Sequence, residues 1–220
     1  GTLPVLYIQT ENNQTITSKD YYLNATYYLD AMGIAGYESI GSASEPLTME
    51  IKGRGNYTWT GFDKKPYRIK LTDKQPLLGM KKSKHFALLA HADDAQNKKG
   101  FMRNQVGFEL SRMIGMAWTP ATAPVEVVLN GDYIGLYFLT ETIRVDKDRV
   151  NIVEQEDEET DPTAITGGWL VEIDNYDDDP HITIKEGGKT TMWITYKTPE
   201  VLSKAQETFL GDEMTRIDNL

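Results

Sequence analysis

The sequence predicts an α+β fold that is mainly antiparallel sheet with a few helices. Three observations favour this class. Short stretches of alternating apolar and polar residues recur along the 220-residue chain, Asn130-Gly131 between two of them is a strong hairpin signal, and two other segments have helical apolar spacing. Because the chain shows no internal repeat or linker, we expect one domain over residues 1–220.

Four strands are predicted in the first third of the chain. Pro4–Thr10 and Tyr21–Asp30 are rich in residues that favour β structure, with a helix as the alternative for the second. Leu47–Lys52 is a third strand, and it runs into a loop that contains three glycines. Pro66–Leu71 alternates apolar with basic residues, so it is expected to be a half-buried strand with a basic face.

A helix is predicted over the segment from Phe101 to Ile114. Its apolar residues recur on one helical stripe, and Gly115 follows as a C-terminal cap. Further on, Val125–Leu129 and Tyr133–Leu139 alternate on either side of the Asn-Gly turn. These two segments are expected to pair as a hairpin.

The last third of the chain is predicted to contain two more strands and a helix. Gly168–Asp174 and Met192–Tyr196 have strand character. The helix is expected to begin at Thr198, because a capping hydroxyl is followed by Pro199 in the first turn and by Glu200 at the positive end of the helix dipole.

The composition excludes several classes of site and partner. The chain has no cysteine and three histidines, so disulfides, thiol chemistry and Cys/His zinc sites are excluded. The net charge of −10 argues against general nucleic-acid binding, which favours basic domains. No apolar run has the length of a membrane span. Neither nucleic acid nor a membrane is therefore expected among the partners.

Positive charge is concentrated in one segment of this acidic chain. From Lys52 to Lys84 there are ten Lys and Arg and two Asp, which gives that segment a charge of +8. Glycines beside Arg54 and Asn56 let the backbone turn sharply and expose successive N–H groups that can bind an anion. The arginine adds planar donors suited to phosphate. The alternative is a glycine-rich β-turn with a purely structural role.

Lys65 and Lys70 lie just after this loop, on the predicted basic strand. In protein kinases, a strand lysine near a glycine-rich loop holds phosphates and pairs with a helix glutamate. Glu109 on the predicted helix is the candidate partner, and Glu141 at the end of the hairpin is expected near an adenine-binding hinge. The alternative is that both lysines form the solvated face of an edge strand.

Six segments together resemble one protein family. They are, in chain order, IKGRGNYTW, KKPYRIKL, LLGMKKSKHFALLAHADD, MRNQVGFELSR, VEVVLNGDYIGLYFLTETI and GGWLVEID. Their order and sequence are similar to those of the CotH kinase family, which is named for a spore coat protein. The resemblance covers roughly Leu47 to Glu200, and the tyrosine-rich start resembles exported members from Bacteroides-type bacteria.

The resemblance implies the N-terminal lobe of an atypical protein kinase, which uses ATP with Mg or Mn to phosphorylate serine in other proteins. It places Arg54 and Asn56 in a phosphate loop. Lys65 or Lys70 would hold phosphate, with Glu109 as the possible partner. It also divides the chain into three parts: family-variable strands at 1–46, the nucleotide lobe at 47–200 and the start of a further helix at 201–220.

One departure from the family pattern bears on activity. The family carries its catalytic and metal-binding aspartates in later segments, which this sequence lacks, so we expect weak nucleotide binding or none, and no turnover. The alternative is a non-catalytic surface-binding, adhesin or envelope-scaffold module. Both hypotheses imply an extracytoplasmic or cell-surface location and a protein substrate or envelope protein as partner. Self-association through an exposed sheet edge is a further expectation.

Overall fold

The computed structural model describes residues 2–90, 102–174, 179–186 and 189–219. The chain divides into two compact units, Gly1–Thr142 and Ile143–Leu220. Each unit has its own hydrophobic cluster, and each is described by itself below. None of the described helices is both long and apolar enough to cross a membrane.

The first unit is a closed barrel of seven strands in the order β1-β2-β3-β4-β5-β7-β6. Neighbouring strands are antiparallel, except that β1 and β6 pair in parallel and thereby close the barrel. The strands are β1 Val5–Thr10, β2 Leu23–Asp30, β3 Leu47–Gly53, β4 Tyr67–Gln75, β5 Ser83–Leu89, β6 Thr122–Leu129 and β7 Asp132–Glu141. Two helices, α1 Tyr57–Thr60 and α2 Arg103–Met113, belong to the same unit.

Alternate side chains of each strand fill the barrel, as the strand period of two requires. The residues that are fully buried inside it are large and apolar, and they include Leu6, Leu29, Ile51, Ile69, Phe86, Leu88, Val125, Val127 and Leu139. The intervening residues point outward. The charged residues of β3 and β4 are therefore displayed together on the outer surface of the barrel.

The predicted α+β fold, resembling the N-terminal lobe of a kinase, is wrong. The described residues form a closed mixed barrel, a small separate sheet and three helices, and they are mostly β. In an α+β fold the helix would pack on the sheet, but α2 buries none of its residues. Its apolar stripe is exposed, with Val106 at 62 % and Met113 at 76 %. Phe101, where the predicted helix began, lies outside the described residues.

The second unit is a three-stranded antiparallel sheet with one long helix. The sheet has the order β8-β10-β9, and the elements are β8 Leu170–Asp174, β9 His181–Glu186, β10 Lys189–Thr198 and α3 Lys204–Asp218. Ile184, Ile194 and Leu210 form its buried cluster.

Helix α3 begins later than predicted. Its N-cap is Ser203, which forms a capping box with Gln206: the Ser203 side chain accepts from Gln206 N at 3.1 Å, and Ser203 N donates to Gln206 Oε1 at 2.9 Å. This reciprocal pair satisfies two backbone donors, whereas a threonine cap alone satisfies one. The sequence signal at Ser203 was therefore stronger than the signal at Thr198.

Candidate anion-binding site

The glycine loop between β3 and β4 is shaped by the packing of one tryptophan. Trp59 on α1 lies against Gly53, where an added Cβ would be 2.5 Å from its ring. The ring also packs on the barrel core and meets Tyr67 edge-on at 6.5 Å. Gly55 has a φ of +86°, a conformation that glycine adopts readily. Both glycines therefore have a structural reason to be where they are.

Lys65 holds this loop closed. Its ammonium group donates to the carbonyl oxygens of Trp59 at 2.7 Å and Phe62 at 2.5 Å, and it lies 5.7 Å from the centre of the Trp59 ring. Its own carbonyl accepts from the Tyr137 hydroxyl at 3.0 Å. Of the two lysines predicted to hold phosphate, Lys65 is thus committed to the backbone of its own loop.

The neighbouring Lys64 is also tied to the barrel. Its ammonium donates to the carbonyl of Leu136 and lies 4.5 Å from the centre of the Tyr137 ring. Partial burial lowers the pKa of Lys64, because desolvation disfavours the charged form. Lys64 and Lys65 therefore anchor the loop to β7 and to itself.

Replacing Lys65 by methionine is expected to destabilise the first unit by about 2 kcal/mol. Hydrogen bonds from a charged donor contribute roughly 1.5–3 kcal/mol, and the Trp59 and Phe62 carbonyls lose theirs. Urea unfolding monitored by tryptophan fluorescence measures the loss. Lys74→Met, at an exposed position on β4, is the matched control and should change stability by less than about 0.5 kcal/mol. Equal stability of the two variants would contradict this role for Lys65.

Arg54 and Asn56 lie on the loop close to its start. Arg54 is half-buried, and its backbone N–H donates to the Pro66 carbonyl at 3.2 Å. Asn56 precedes α1 and its side-chain oxygen accepts from the ammonium of Lys19. Its carbonyl accepts from Thr60 N at 3.2 Å. Asn56 thus starts the short helix, and its amide is engaged by a cation.

Lys70 and Glu109 are paired with other residues. Lys70 on β4 forms an ion pair with Glu50 on β3, with Nζ and Oε2 at 2.8 Å. The hydrogen bond and charge of Glu50 raise the pKa of Lys70. Glu109 is 66 % exposed and pairs with Arg112 one turn along α2 at 3.3 Å. The predicted pair between Glu109 and Lys70 is therefore not among the ion pairs of the described residues.

Glu141 lies at the end of β7 and is buried, with 5 % of its surface exposed. Its carboxylate accepts from Ala121 N at 2.9 Å, and its own N–H donates to the Ala121 carbonyl at 3.0 Å. These two bonds fix the chain where it enters β6. Glu141 therefore has a structural function, and the binding role that the sequence predicts for it stays a prediction.

The outer surface of β3 and β4 carries a cationic pair that the sequence analysis did not single out. Lys52 on β3 lies directly opposite Arg68 on β4, and both point away from the barrel because Ile51 and Ile69 beside them are buried. We call Lys52 and Arg68 the basic pair. Like charges directly opposite on neighbouring strands destabilise a sheet, so this arrangement needs a compensating interaction.

For Arg68, the described residues show no such compensating interaction at Nε. It is half-buried, and its Nε is buried without a hydrogen-bond partner among the described residues. The Lys52 ammonium, in contrast, lies 4.9 Å from the centre of the Tyr22 ring, which compensates part of its charge. A buried guanidinium nitrogen without an acceptor is unusual and costly. The alternation of Pro66–Leu71 had placed Arg68 on a basic face, but no sequence signal indicated that its Nε would have no acceptor within the described structure.

The basic pair fits an anion such as a phosphate group. A guanidinium presents planar donors that match phosphate oxygens, and a second cation across the strand adds charge. The same surface offers little to a bare metal ion. Within the described parts of the chain, no group of three or more His, Asp or Glu side chains is placed to hold one.

Comparison with known proteins identifies the family. No curated protein matches the chain. The sequence model of the family described as CotH kinase protein matches residues 51–216, which is most of the chain and includes the glycine loop and the basic pair. The match confirms the family that the sequence motifs predicted. The chain belongs to the CotH kinase protein family.

Proposed function

We propose that this chain forms the nucleotide-binding part of a CotH-like protein kinase, and that Arg68 binds a phosphate group of ATP. The observation that carries the proposal is the half-buried Arg68 guanidinium, whose Nε has no acceptor in the described structure. Membership of the family supports the relation to kinases. The divalent ion would arrive bound to the nucleotide phosphates, as Mg commonly does.

The surroundings of Arg68 favour a phosphate over a carboxylate ligand. Lys52 lies opposite it, and Arg54 lies near the end of β3, so three cations follow one another along two strands and their connecting loop. A phosphate group with its double negative charge gains more from such a field than a singly charged group does. Glu50 neutralises the charge of Lys70. The basic pair is therefore the local source of positive charge.

The positions of the residues predicted from the sequence support a phosphate-binding role to different degrees. Arg54 and Asn56 lie on the loop next to the basic pair, so a phosphate role for them is compatible with their positions. Lys65 and Lys70 are already bonded to loop carbonyls and to Glu50. Their nucleotide-binding roles, and those of Glu109 and Glu141, stay predictions.

ATP with magnesium is expected to raise the melting temperature of the protein, because a ligand that binds only the folded state stabilises it. At a ligand concentration about 100 times Kd the gain is about 2.7 kcal/mol. For a chain of this size that corresponds to roughly 5–10 °C. Differential scanning fluorimetry, with and without the nucleotide, measures the shift.

Arg68→Ala is expected to abolish most of this shift at the same ATP concentration. Lys74→Ala, an exposed lysine on the same strand, is the matched control and should keep the full shift. Arg68→Lys should keep part of it, since a lysine retains the charge but loses the planar donors. If Arg68→Ala shifts as much as Lys74→Ala, the assignment of Arg68 is wrong.

We also propose an extracytoplasmic or cell-surface location and a protein as the phosphate acceptor or binding partner. The absence of cysteine from the sequence is compatible with export. The resemblance of the tyrosine-rich start to exported family members supports the same location.

A further inference from the structure

A second candidate site lies on the same outer face of the barrel, next to the basic pair. An open groove of about 730 Å³ runs over the outer face of β1–β4. Ala25, Met49 and Leu71 line its floor, and their side chains are buried in the barrel. Its outward-pointing side chains form two rows across the strands. The first row consists of Asn24, Glu50 and Lys70. The second row consists of Gln9, Thr26, Thr48 and Thr72. We call this the polar groove.

The second row is a continuous series of hydroxyl and amide groups. Gln9 is opposite Thr26, and Thr26 is opposite Thr48. The Thr48 hydroxyl donates to the Thr72 hydroxyl at 2.7 Å. Each of these groups can both donate and accept a hydrogen bond. Adjacent strands are about 4.8 Å apart, so the row offers evenly spaced polar groups to an extended ligand with many hydroxyls.

The charges of the polar groove cancel. Glu11 and Glu50 are balanced by Lys70 and Lys84. Lys70 is paired with Glu50 at 2.8 Å, and the Asn24 amide donates to the Glu11 carboxylate at 3.3 Å. A polyanion would meet two carboxylates here, so the groove suits a neutral ligand. In this respect it differs from the basic pair.

Aromatic rings flank the second row. Tyr7 and Tyr28 stack in parallel, with ring centres 4.4 Å apart and planes 10° apart. They are the next outward residues along the strands from Gln9 and Thr26, and both are half-buried. Such rings offer an apolar surface with a polar edge, which matches a sugar ring that has C–H groups on its faces and hydroxyls at its rim.

We propose that the polar groove binds a neutral oligosaccharide. The sugar hydroxyls would bond to the row from Gln9 to Thr72, and one sugar ring would pack on the pair Tyr7 and Tyr28. Because the groove is built on paired strands, little conformational freedom is lost on binding. The proposal does not depend on nucleotide binding, since its residues are different from the basic pair.

Nuclear magnetic resonance titration of the full chain tests the proposal. The probes are cellohexaose, laminarihexaose, maltohexaose and chitohexaose at millimolar concentration, with a heparin hexasaccharide as the charged comparison. We expect at least one neutral probe to shift the methyl signals of Thr26, Thr48 and Thr72. This readout requires no variant.

Two variants then locate the site. Thr48→Val keeps the shape of the side chain and a residue that favours strands, and Thr72→Val makes the same change at an exposed position of the same row. Each should weaken binding about tenfold, which corresponds to about 1.4 kcal/mol for a lost hydrogen bond. Thr208→Val, at an exposed position on α3, is the control and should bind like the unmodified chain.

Three outcomes would overturn the proposal. They are the absence of binding to all four neutral probes, binding of the heparin probe alone, and binding of a neutral probe that both groove variants leave unchanged.

Discussion

Gly168→Ala is expected to destabilise the second unit by about 4 kcal/mol. An added Cβ would lie 1.8 Å from the carbonyl oxygen of Val153, a backbone atom that cannot rotate away. Gly168 also has a φ of +76°, and the left-handed region costs other residues roughly 1–2 kcal/mol. Overpacking adds typically 1–3 kcal/mol. Amide hydrogen exchange in β8 and β10 measures the loss directly within this unit.

Gly211→Ala is the matched control for this prediction. Gly211 lies within α3, and no neighbouring atom is within 4 Å of an added Cβ. Alanine is the better helix former by about 0.5–1 kcal/mol, so this variant should protect the same amides more strongly. If both glycine variants change protection in the same direction, the account of Gly168 is wrong.

Gly53→Ala is expected to destabilise the first unit by about 3 kcal/mol. The added Cβ would lie 2.5 Å from the Trp59 ring, so the ring must leave its contacts with the barrel core. Overpacking of this kind costs typically 1–3 kcal/mol, and the close contact places this case at the upper end. Urea unfolding measures the loss, and Gly107→Ala on α2, where space is open, should be neutral or slightly stabilising.

A double-mutant cycle separates packing from any direct role of the glycine. In a Trp59→Ala background the obstructing ring is gone, so Gly53→Ala should then cost less than about 1 kcal/mol. The coupling between the two sites should be about 2 kcal/mol, within the range for residues in contact. Additive effects would show that the cost of Gly53→Ala does not come from the Trp59 ring.

The parts of the fold that follow from local signals were predictable from the sequence. The hairpin of β6 and β7 forms around Asn130 and Gly131, whose φ values of 53° and 87° are those that the Asn-Gly pair favours. The basic face of β4 was also predicted, because alternation decides which side chains point outward. The structure confirms both features.

Closure of the barrel was not predictable in the same way. It depends on the parallel pairing of β1 with β6, which joins segments more than a hundred residues apart. A period of two identifies half-buried strands, but it does not distinguish an open sheet from a closed one. The predicted kinase-lobe fold was wrong, and the predicted set of strands also lacked β5, which lies between β4 and β7 in the barrel.

The site shows the same division between local and distant information. The sequence marked the segment around Arg54 and Lys65 as basic, but it could not show that the Lys65 ammonium bonds to two carbonyls of its own loop. Nor could it show that Glu50 pairs with Lys70. Which cation lacks an acceptor depends on the fold, and among the residues that the structure describes the Nε of Arg68 has none.

Calorimetric titration of ATP with magnesium into the unmodified chain and into Arg68→Ala tests the central proposal most directly. An arginine–phosphate hydrogen bond contributes about 1.5–3 kcal/mol, so the variant should bind roughly 10 to 150 times more weakly. The same dissociation constant for both proteins, or no measurable binding of ATP to the unmodified chain, would contradict the proposal.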